Sequence, residues 1–358
     1  MPLAKRLAAK LGDGNFAYVT TDRITSQRRS LGWDDSAKFN WLMYANVDPA
    51  ATRRMLEEAD VVYGNIRDFD MMEQRIRLGK KTIYCSERWF KPIGIFRLGC
   101  RTLTLPGWIR LFVPWYFRMA RRMASLIRNG ETFQYYPIGK WAQRDMLLIC
   151  RLFGVSHDDA ISRMRLWGYF VEPSTSPSQL PTSNSHPKTS NSQLQTSNSK
   201  LQTSNFKLLW VGRMLDCKRV DTTIRVVKKC RGVEFDIYGE GPMENAWRKL
   251  AGDCKRIHFH EQVKIEKVRE LMRNHDLYVL SSDEQEGWGA VLNEAIEEGM
   301  KVIGTYEAGS SSVMLPESNL YHSGDWRALK ALLEKGVPRV EIGEWSPACA
   351  VEKLLDAQ

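Results

Sequence analysis

Two carboxylates, Glu286 and Glu294, stand in the stretch 281–300, SSDEQEGWGAVLNEAIEEGM, where a strand ends, a loop turns and a helix begins. One acid lies just outside that helix and the other inside it. Their separation, at ~1.5 Å rise per residue, is at most ~12 Å along one helix face. Asn293 and Glu297 fall on or near the same side, and Gly299 is a normal left-handed stop. Acids near a helix N-terminus are also an ordinary response to the macrodipole. The pair therefore gains meaning only beside groups that can handle phosphate.

Such groups stand upstream, at the ends of two predicted strands. Residues 208–211 run into Gly212-Arg213, with Lys218 following and a helix after Asp221. Gly212 lets backbone approach a ligand closely, Arg213 offers a planar fork to phosphate oxygens, and Lys218 adds a point charge. Two cations there would neutralise a diphosphate. The run Tyr238-Gly239-Glu240-Gly241-Pro242 likewise follows a strand and precedes a helix. Each signal alone is weak, because a solvated turn explains it equally well. Their succession at strand ends of one sheet, in one order, is the argument, and the spacing of the acids matches the span from sugar ring to ribose in a sugar nucleotide.

Positioning these residues requires strands that alternate with helices. In the second half, strands read at 207–211, 233–238, 257–260, 277–280 and 301–305, and helices at 222–230, 243–251, 265–274, 289–298 and 326–335. A last helix, 347–357, is placed to cross back toward the first half. The first half reads as helix 2–11, strand 16–21, helix 49–59, strand 61–65, helix 68–78, strand 82–85, strand 133–138, helix 140–153 and strand 164–170. This is α/β alternation around parallel sheets. Ligands of such sheets bind beyond the carboxyl ends of the strands, which puts Glu87 and Arg88 where an acceptor or donor group would sit. A surface salt bridge is the other reading of that pair.

Between 176 and 205 the composition collapses to Ser, Thr, Asn, Gln and Pro in seven-residue copies: SPSQLPT, SNSHPKT, SNSQLQT, SNSKLQT. A coiled coil fails here, because no copy carries more than one Leu and two carry Pro. The expected state is a disordered tether. Residues 107–129 combine Trp108, Phe112, Trp115, Tyr116 and Phe117 with five arginines and no acid. That composition suits a helix at an anionic membrane interface; a domain helix with its aromatics turned inward is the alternative.

The chain of 358 residues has room for two domains, and 43% hydrophobic with 26% charged residues describes a globular protein. An excess of 52 Lys and Arg over 42 acids, net +10, points to an anionic partner. The seven cysteines are odd in number and scattered, with no C-x-x-C pair, and read as reduced thiols. With no signal peptide and no run of ~18 apolar residues, the expected location is cytoplasmic, at the inner face of a membrane if residues 107–129 bind one.

VGRMLDCKRVD, YGEGP and EQEGWGAVLNEAIEEGMKVI together resemble, in order from about Phe206 to Asp325, the C-terminal domain of family 4 retaining glycosyltransferases of the GT-B fold. The resemblance implies two Rossmann-like domains facing each other across a cleft: an acceptor domain at 1–172, a linker at 173–205, a donor domain at 206–346 and a closing helix at 347–358. It implies that Arg213 and Lys218 stabilise the departing nucleotide diphosphate, that Glu294 holds the ribose hydroxyls and that Glu286 contacts the donor sugar. Gly212, Gly239, Gly241 and Pro242 would line the donor, and the backbone of Gly287, Trp288 and Gly289 would approach its sugar and phosphate. Glu87 and Arg88 stand on the acceptor side, where many family members carry a His. The implied partners are a nucleotide sugar and a glycan or lipid-linked acceptor of surface polysaccharide synthesis, with no cofactor and no metal.

Three other readings compete. Asp68-Phe69-Asp70 is a D-x-D, a metal-binding signature of the other major glycosyltransferase fold, but it sits at a helix start where Asp is an ordinary cap. A catalytically inactive sugar-nucleotide binder shares every donor feature. A nucleic-acid binder would show a recognised motif, and none is present. Finally, a domain of this resemblance opens with a strand before the helix that here starts at Pro2. The expectation is a first sheet lacking that strand, because the chain begins inside its reading frame or has lost it.

Overall fold

The computed structural model describes residues 2–12, 14–21, 25–31, 39–65, 68–98, 101–173 and 206–356. The tether expected at 176–205 lies outside the described residues. In the first half the order is α1 (Pro2–Leu11), β1 (Tyr18–Thr20), α2 (Ser26–Ser30), β2 (Leu42–Tyr44), α3 (Pro49–Glu58), β3 (Val61–Gly64), α4 (Phe69–Arg77) and β4 (Lys81–Ser86). The hairpin β5 (Ile93–Leu98) and β6 (Arg101–Leu105) follows, then α5 (Pro114–Asn129), β7 (Phe133–Pro137), α6 (Lys140–Leu152) and α7 (His157–Ser162).

Strands β3, β4 and β7 form one parallel sheet in that order, while β1 and β2 pair only with each other. No described strand joins the two sheets. The strand expected at 164–170 does not form; the chain there makes single parallel bridges, Met164 to Tyr135 and Trp167 to Ile138. Trp167 turns inward against Tyr136 and gives its indole N–H to Tyr63, and the glycine at 168 takes the indole of Trp288 from the second half against its backbone. The segment serves as a wall between the halves, which a regular strand could not do.

The second half runs β8 (Phe206–Val211), α8 (Val220–Lys229), β9 (Val233–Tyr238), α9 (Glu244–Ala251), β10 (Ile257–His260), α10 (Ile265–Arg273), β11 (Leu277–Leu280), α11 (Val291–Glu297), β12 (Lys301–Thr305), α12 (Ser311–Met314), β13 (Leu320–Tyr321), α13 (Trp326–Lys335) and α14 (Pro347–Leu355). Its sheet is parallel throughout, with strand order β10-β9-β8-β11-β12-β13. Alternation along β8 sends Leu208 and Trp210 to the face under α8, α9 and α13, and Leu209 to the face under α10 and α11. Both faces are covered, so the strands are apolar almost without interruption.

Helix α14 leaves that half and packs on the first sheet: Ala350, Val351 and Leu354 share a core with Leu7 of α1, Ile83 and Tyr136. With the bridge through Trp288, this docks the carboxyl ends of the two sheets against each other.

Candidate functional site

The loop after β8 and the loop after β9 are laid one on the other. Gly212 N–H donates to Tyr238 O at 3.0 Å, and Met214 N–H to Glu240 O at 2.8 Å. Gly239, at φ +143°, would bring a β-carbon to 1.9 Å from Gly212 O, and Gly241, at φ +151°, one to 2.7 Å from Met214 O. Backbone packing alone thus demands both glycines. Arg213 projects from this double loop, exposed, and among the described residues it makes no ion pair or hydrogen bond. Pro242, next after Gly241, is exposed at the turn before α9.

Lys218 ends the 3₁₀ turn Asp216–Lys218, and the next residue, Arg219, is the one described non-glycine residue with positive φ, +48°. Asp221 holds its guanidinium by two hydrogen bonds of 3.1 and 3.3 Å. A strained backbone of this kind costs on the order of 1–3 kcal/mol and persists only where its surroundings fix it. The strain turns the chain so that the ammonium of Lys218 meets the carboxylate of Glu286. Sequence spacing gave no sign of Arg219.

Glu286 Oε2 also accepts from Ser282 Oγ at 2.9 Å. Its loop is pinned by Asp283 N–H to Cys217 O, 2.8 Å, and Glu286 N–H to Asp283 O, 3.1 Å. Asp283 is a second residue that sequence reasoning missed. Burial pushes its carboxyl up to about 6, against the pull of the Gln285 N–H and of Arg219.

Glu294 lies on α11, and its carboxyl is raised first by burial and then by Glu298, with Arg269 opposing. Among the described residues its side-chain carboxylate makes no hydrogen bond. Arg269 and Arg273 are instead committed to Glu298, at 2.9 and 2.6 Å. Glu286 lies in the loop after β11 and Glu294 in the first turn of the helix that follows, so both acids stand beyond the carboxyl end of that strand.

The glycines between the acids have separate causes. A β-carbon on Gly287 would lie 2.3 Å from the Glu87 carboxylate, and one on Gly309, in the loop after β12, 2.1 Å from Gly287 O. Gly289 is left-handed at φ +82°, with Leu280, Ser310 and Glu286 around it. The indole of Trp288 turns away from the loop whose backbone, at 287–289, is expected to approach the donor. That residue is 1% exposed, its ring bonded to Asn293 Oδ1 at 2.8 Å and packed near Trp345, so only its backbone faces the loop.

On the opposite wall, Glu87 receives Lys91 at 2.7 Å and the Tyr169 hydroxyl at 2.9 Å. Arg88 is no surface pair: its side chain is 10% exposed. It donates to Glu284 O at 3.1 Å and Phe90 O at 3.2 Å, approaches Asp145 at 3.5 Å and lies over Trp141. It therefore ties the first half to the loop that carries Glu286. Asp68, in the D-x-D, caps α4 by accepting Met71 N–H at 3.0 Å, while Asp70 pairs with Arg122 at 2.5 Å.

Residues 107–129 divide into a 3₁₀ turn, Gly107–Phe112, and α5. Ala120, Met123, Ala124, Leu126 and Ile127 enter the core, while Trp108, Phe112, Trp115 and Phe117 stay exposed. The inward face of α5 is thus aliphatic, against the reading in which its aromatics turn inward, and the aromatics at its start face outward. No helix among the described residues is long and apolar enough to cross a membrane.

Residues 205–335, the segment that carries Arg213, Lys218, Glu286 and Glu294, match the model of the glycosyl transferases group 1. The GtfA subunit of the UDP-N-acetylglucosamine–peptide N-acetylglucosaminyltransferase of Streptococcus parasanguinis is 33% identical over 94 residues, 24% of this chain. The match spans only 18% of that protein. Among solved structures, the apo lipopolysaccharide outer core galactosyltransferase WaaB superposes with a TM-score of 0.56 at 14% identity, over 86% of this chain and 77% of that one. HepE of Anabaena, in complex with UDP-glucose, gives 0.53 at 14% identity, over 88% and 86%. WaaG, a glycosyltransferase of lipopolysaccharide biosynthesis, gives 0.51 at 14% identity, over 94% and 85%. The fold is GT-B.

Proposed function

We propose that the protein is a retaining glycosyltransferase of family 4 that moves a sugar from a nucleotide sugar to a glycan or lipid-linked acceptor in surface polysaccharide synthesis. The observation that carries this reading is the clustering of Lys218, Glu286 and Glu294 at the carboxyl end of β11, inside the segment that matches the group 1 family, with Arg213 uncommitted on the neighbouring loop. Fixed cations there take up charge that grows on a leaving diphosphate, without metal or reorganisation. Arg213 supplies a bidentate fork, and Lys218 shares its ammonium between Glu286 and phosphate. Glu294, its carboxylate free of hydrogen bonds among the described residues, is placed to accept from ribose hydroxyls. The hydrogen-bonded carboxylate of Glu286 orients the sugar, and the acceptor hydroxyl attacks from the same face as the departing diphosphate. The site of action is the cytoplasmic face of a membrane, reached through the aromatic and basic surface of residues 107–118.

One observation favours a second reading, a sugar-nucleotide binder without turnover. Glu87, at the acceptor-side position where many relatives of this resemblance carry His, has both carboxylate oxygens engaged by Lys91 and Tyr169. A thermal-shift screen over UDP-, GDP- and ADP-sugars, followed by radiolabel transfer with the best donor, separates the two. Donor stabilisation with transfer supports the transferase, stabilisation with neither transfer nor donor hydrolysis supports the binder, and no stabilisation by any donor rejects both.

A further inference from the structure

The sequence places Arg88 on the acceptor side of the cleft, yet each of its nitrogens is already engaged. Nε faces Asp145 Oδ2 at 3.5 Å, Nη2 donates to Phe90 O at 3.2 Å, and Nη1 crosses to the second half and donates to Glu284 O at 3.1 Å. The guanidinium lies over Trp141, 5.3 Å from the ring centre. Its side chain is 10% exposed, too little to receive a phosphate or a sugar. Behind it Asp145 is buried and accepts Phe90 N–H at 2.9 Å. Burial raises the Asp145 carboxyl, and Arg88 is the strongest pull against that rise. An enclosed carboxylate of this kind fixes the direction of the guanidinium that neutralises it.

Arg88 thus grips a main-chain carbonyl in the turn that carries Glu286. The second half holds that turn by other groups: Asp283 N–H donates to Cys217 O at 2.8 Å, Glu286 N–H to Asp283 O at 3.1 Å, and Gln285 N–H to the Asp283 carboxylate at 2.9 Å. Among the described residues only Arg88 donates to the Glu284 carbonyl. Trp141, the ring under Arg88, holds the next loop in the same manner, its indole N–H donating to Tyr306 O at 3.2 Å. We propose that Arg88 is a positioning residue, which sets the turn 283–286 from the other half of the protein and thereby the reach of the Glu286 carboxylate toward a donor sugar. The role toward the sugar rests on the transferase reading; the grip on the turn does not. Because the grip is on a carbonyl, the side chain at 284 is free to change while that at 88 is not. Loss of Arg88 acts on the sugar of a donor and spares its nucleotide, since Glu294 and Arg213 stand outside the turn.

Amide hydrogen exchange on the full chain reads the turn directly. Arg88→Ala would leave Asp145 buried without its cation, so the decisive variant joins Arg88→Met to Asp145→Asn, which keeps volume and removes both charges. In it the amides of Gln285 and Glu286 should exchange about tenfold faster, while β8 and β11 keep their protection. Two controls should stay within about twofold of the parent. Glu284→Ala removes an exposed carboxylate 3.9 Å from Arg88 and leaves the carbonyl, and Arg144→Gln removes the other guanidinium over the Trp141 ring. Calorimetry on the same preparations should show UDP-glucose bound about tenfold more weakly by the decisive variant, and UDP by less than about threefold. Unchanged exchange at 285–286, faster exchange throughout the second sheet, or affinities for UDP and UDP-glucose that move together or not at all would overturn the inference. If the unaltered protein binds no UDP-glucose while the variant still loosens the turn, the transferase reading is struck and the grip of Arg88 on the turn stands.

Discussion

The Glu87 carboxylate, from the first half, lies so close to the α-carbon of Gly287 that a methyl group there would stand 2.3 Å from Oε1. Gly287 has no positive φ, so its requirement for glycine comes from the neighbour and not from its own backbone. Gly287→Ala should therefore displace the flexible end of Glu87 from Lys91 and Tyr169 and destabilise the apposition of the two halves by about 1 kcal/mol. Glu87→Ala in the same chain should restore most of the loss. Thermal denaturation of the two single variants and the double variant measures the coupling, and additive losses would sink the idea.

Arg213 and Lys218 should fail differently. Both substitutions to Ala remove charge that faces the diphosphate in the proposed mechanism, a loss typically worth ~3–4 kcal/mol of transition-state stabilisation, or about 10²–10³ in kcat. Arg213 makes no pair, so its removal should leave the melting temperature in place. Lys218→Ala strands the largely buried Glu286 carboxylate and should lower it as well. Turnover and melting curves on the two variants check this, and unchanged kcat in both would remove them from the chemistry.

Asp283 makes the stability of the protein depend on pH. Its folded carboxyl titrates near 6, above the ordinary value of 3.8, because burial disfavours its charge. A group raised in this way contributes stability that is full below about 4 and lost as pH rises through 6. Asp283→Asn should flatten that part of the profile, raising stability at pH 7.5 by up to about 3 kcal/mol. Denaturant midpoints from pH 4.5 to 7.5 give the answer. Parallel profiles for variant and wild type would refute it.

The strands and helices of the second half, β13 and α12 apart, were legible because each strand is apolar and closed by a glycine or a polar turn. The hairpin of β5 and β6, and β2 and β13, were not, since they are short and carry no clear alternation over enough residues to stand out. Among site residues, Glu286 and Glu294 announced themselves by spacing along one stretch of chain. Arg219, Asp283 and Gly309 did not, because their roles arise from contacts between loops far apart in sequence. The inward turn of the Trp288 indole, which fills the space left by Gly168, arises in the same way.

Transfer activity should survive EDTA. In the D-x-D, Asp68 is engaged by Met71 N–H and Arg53, and Asp70 by Arg122. Arg213 and Lys218, in the mechanism above, supply the charge a metal otherwise brings. Activity lost on chelation and regained with Mn²⁺ would return Asp68 and Asp70 to the position of ligands.

Glu294→Gln should raise stability and lower donor affinity at once. Its buried carboxyl is raised in the folded protein, so the stability it contributes at low pH is lost as pH rises through its folded value, and at pH 7.5 the charged form is a liability. The amide keeps the shape and removes that liability. It also removes the charged acceptor from a ribose hydroxyl, and a charge-assisted hydrogen bond exchanged for a neutral one costs about 1–1.5 kcal/mol, close to tenfold in affinity. Melting curves at pH 7.5 with and without UDP separate the two effects. A general structural role predicts that both fall together. A ribose-binding role predicts that the unliganded melting temperature rises or holds while the shift produced by UDP shrinks, and an undiminished shift would count against Glu294 as the residue that grips the ribose.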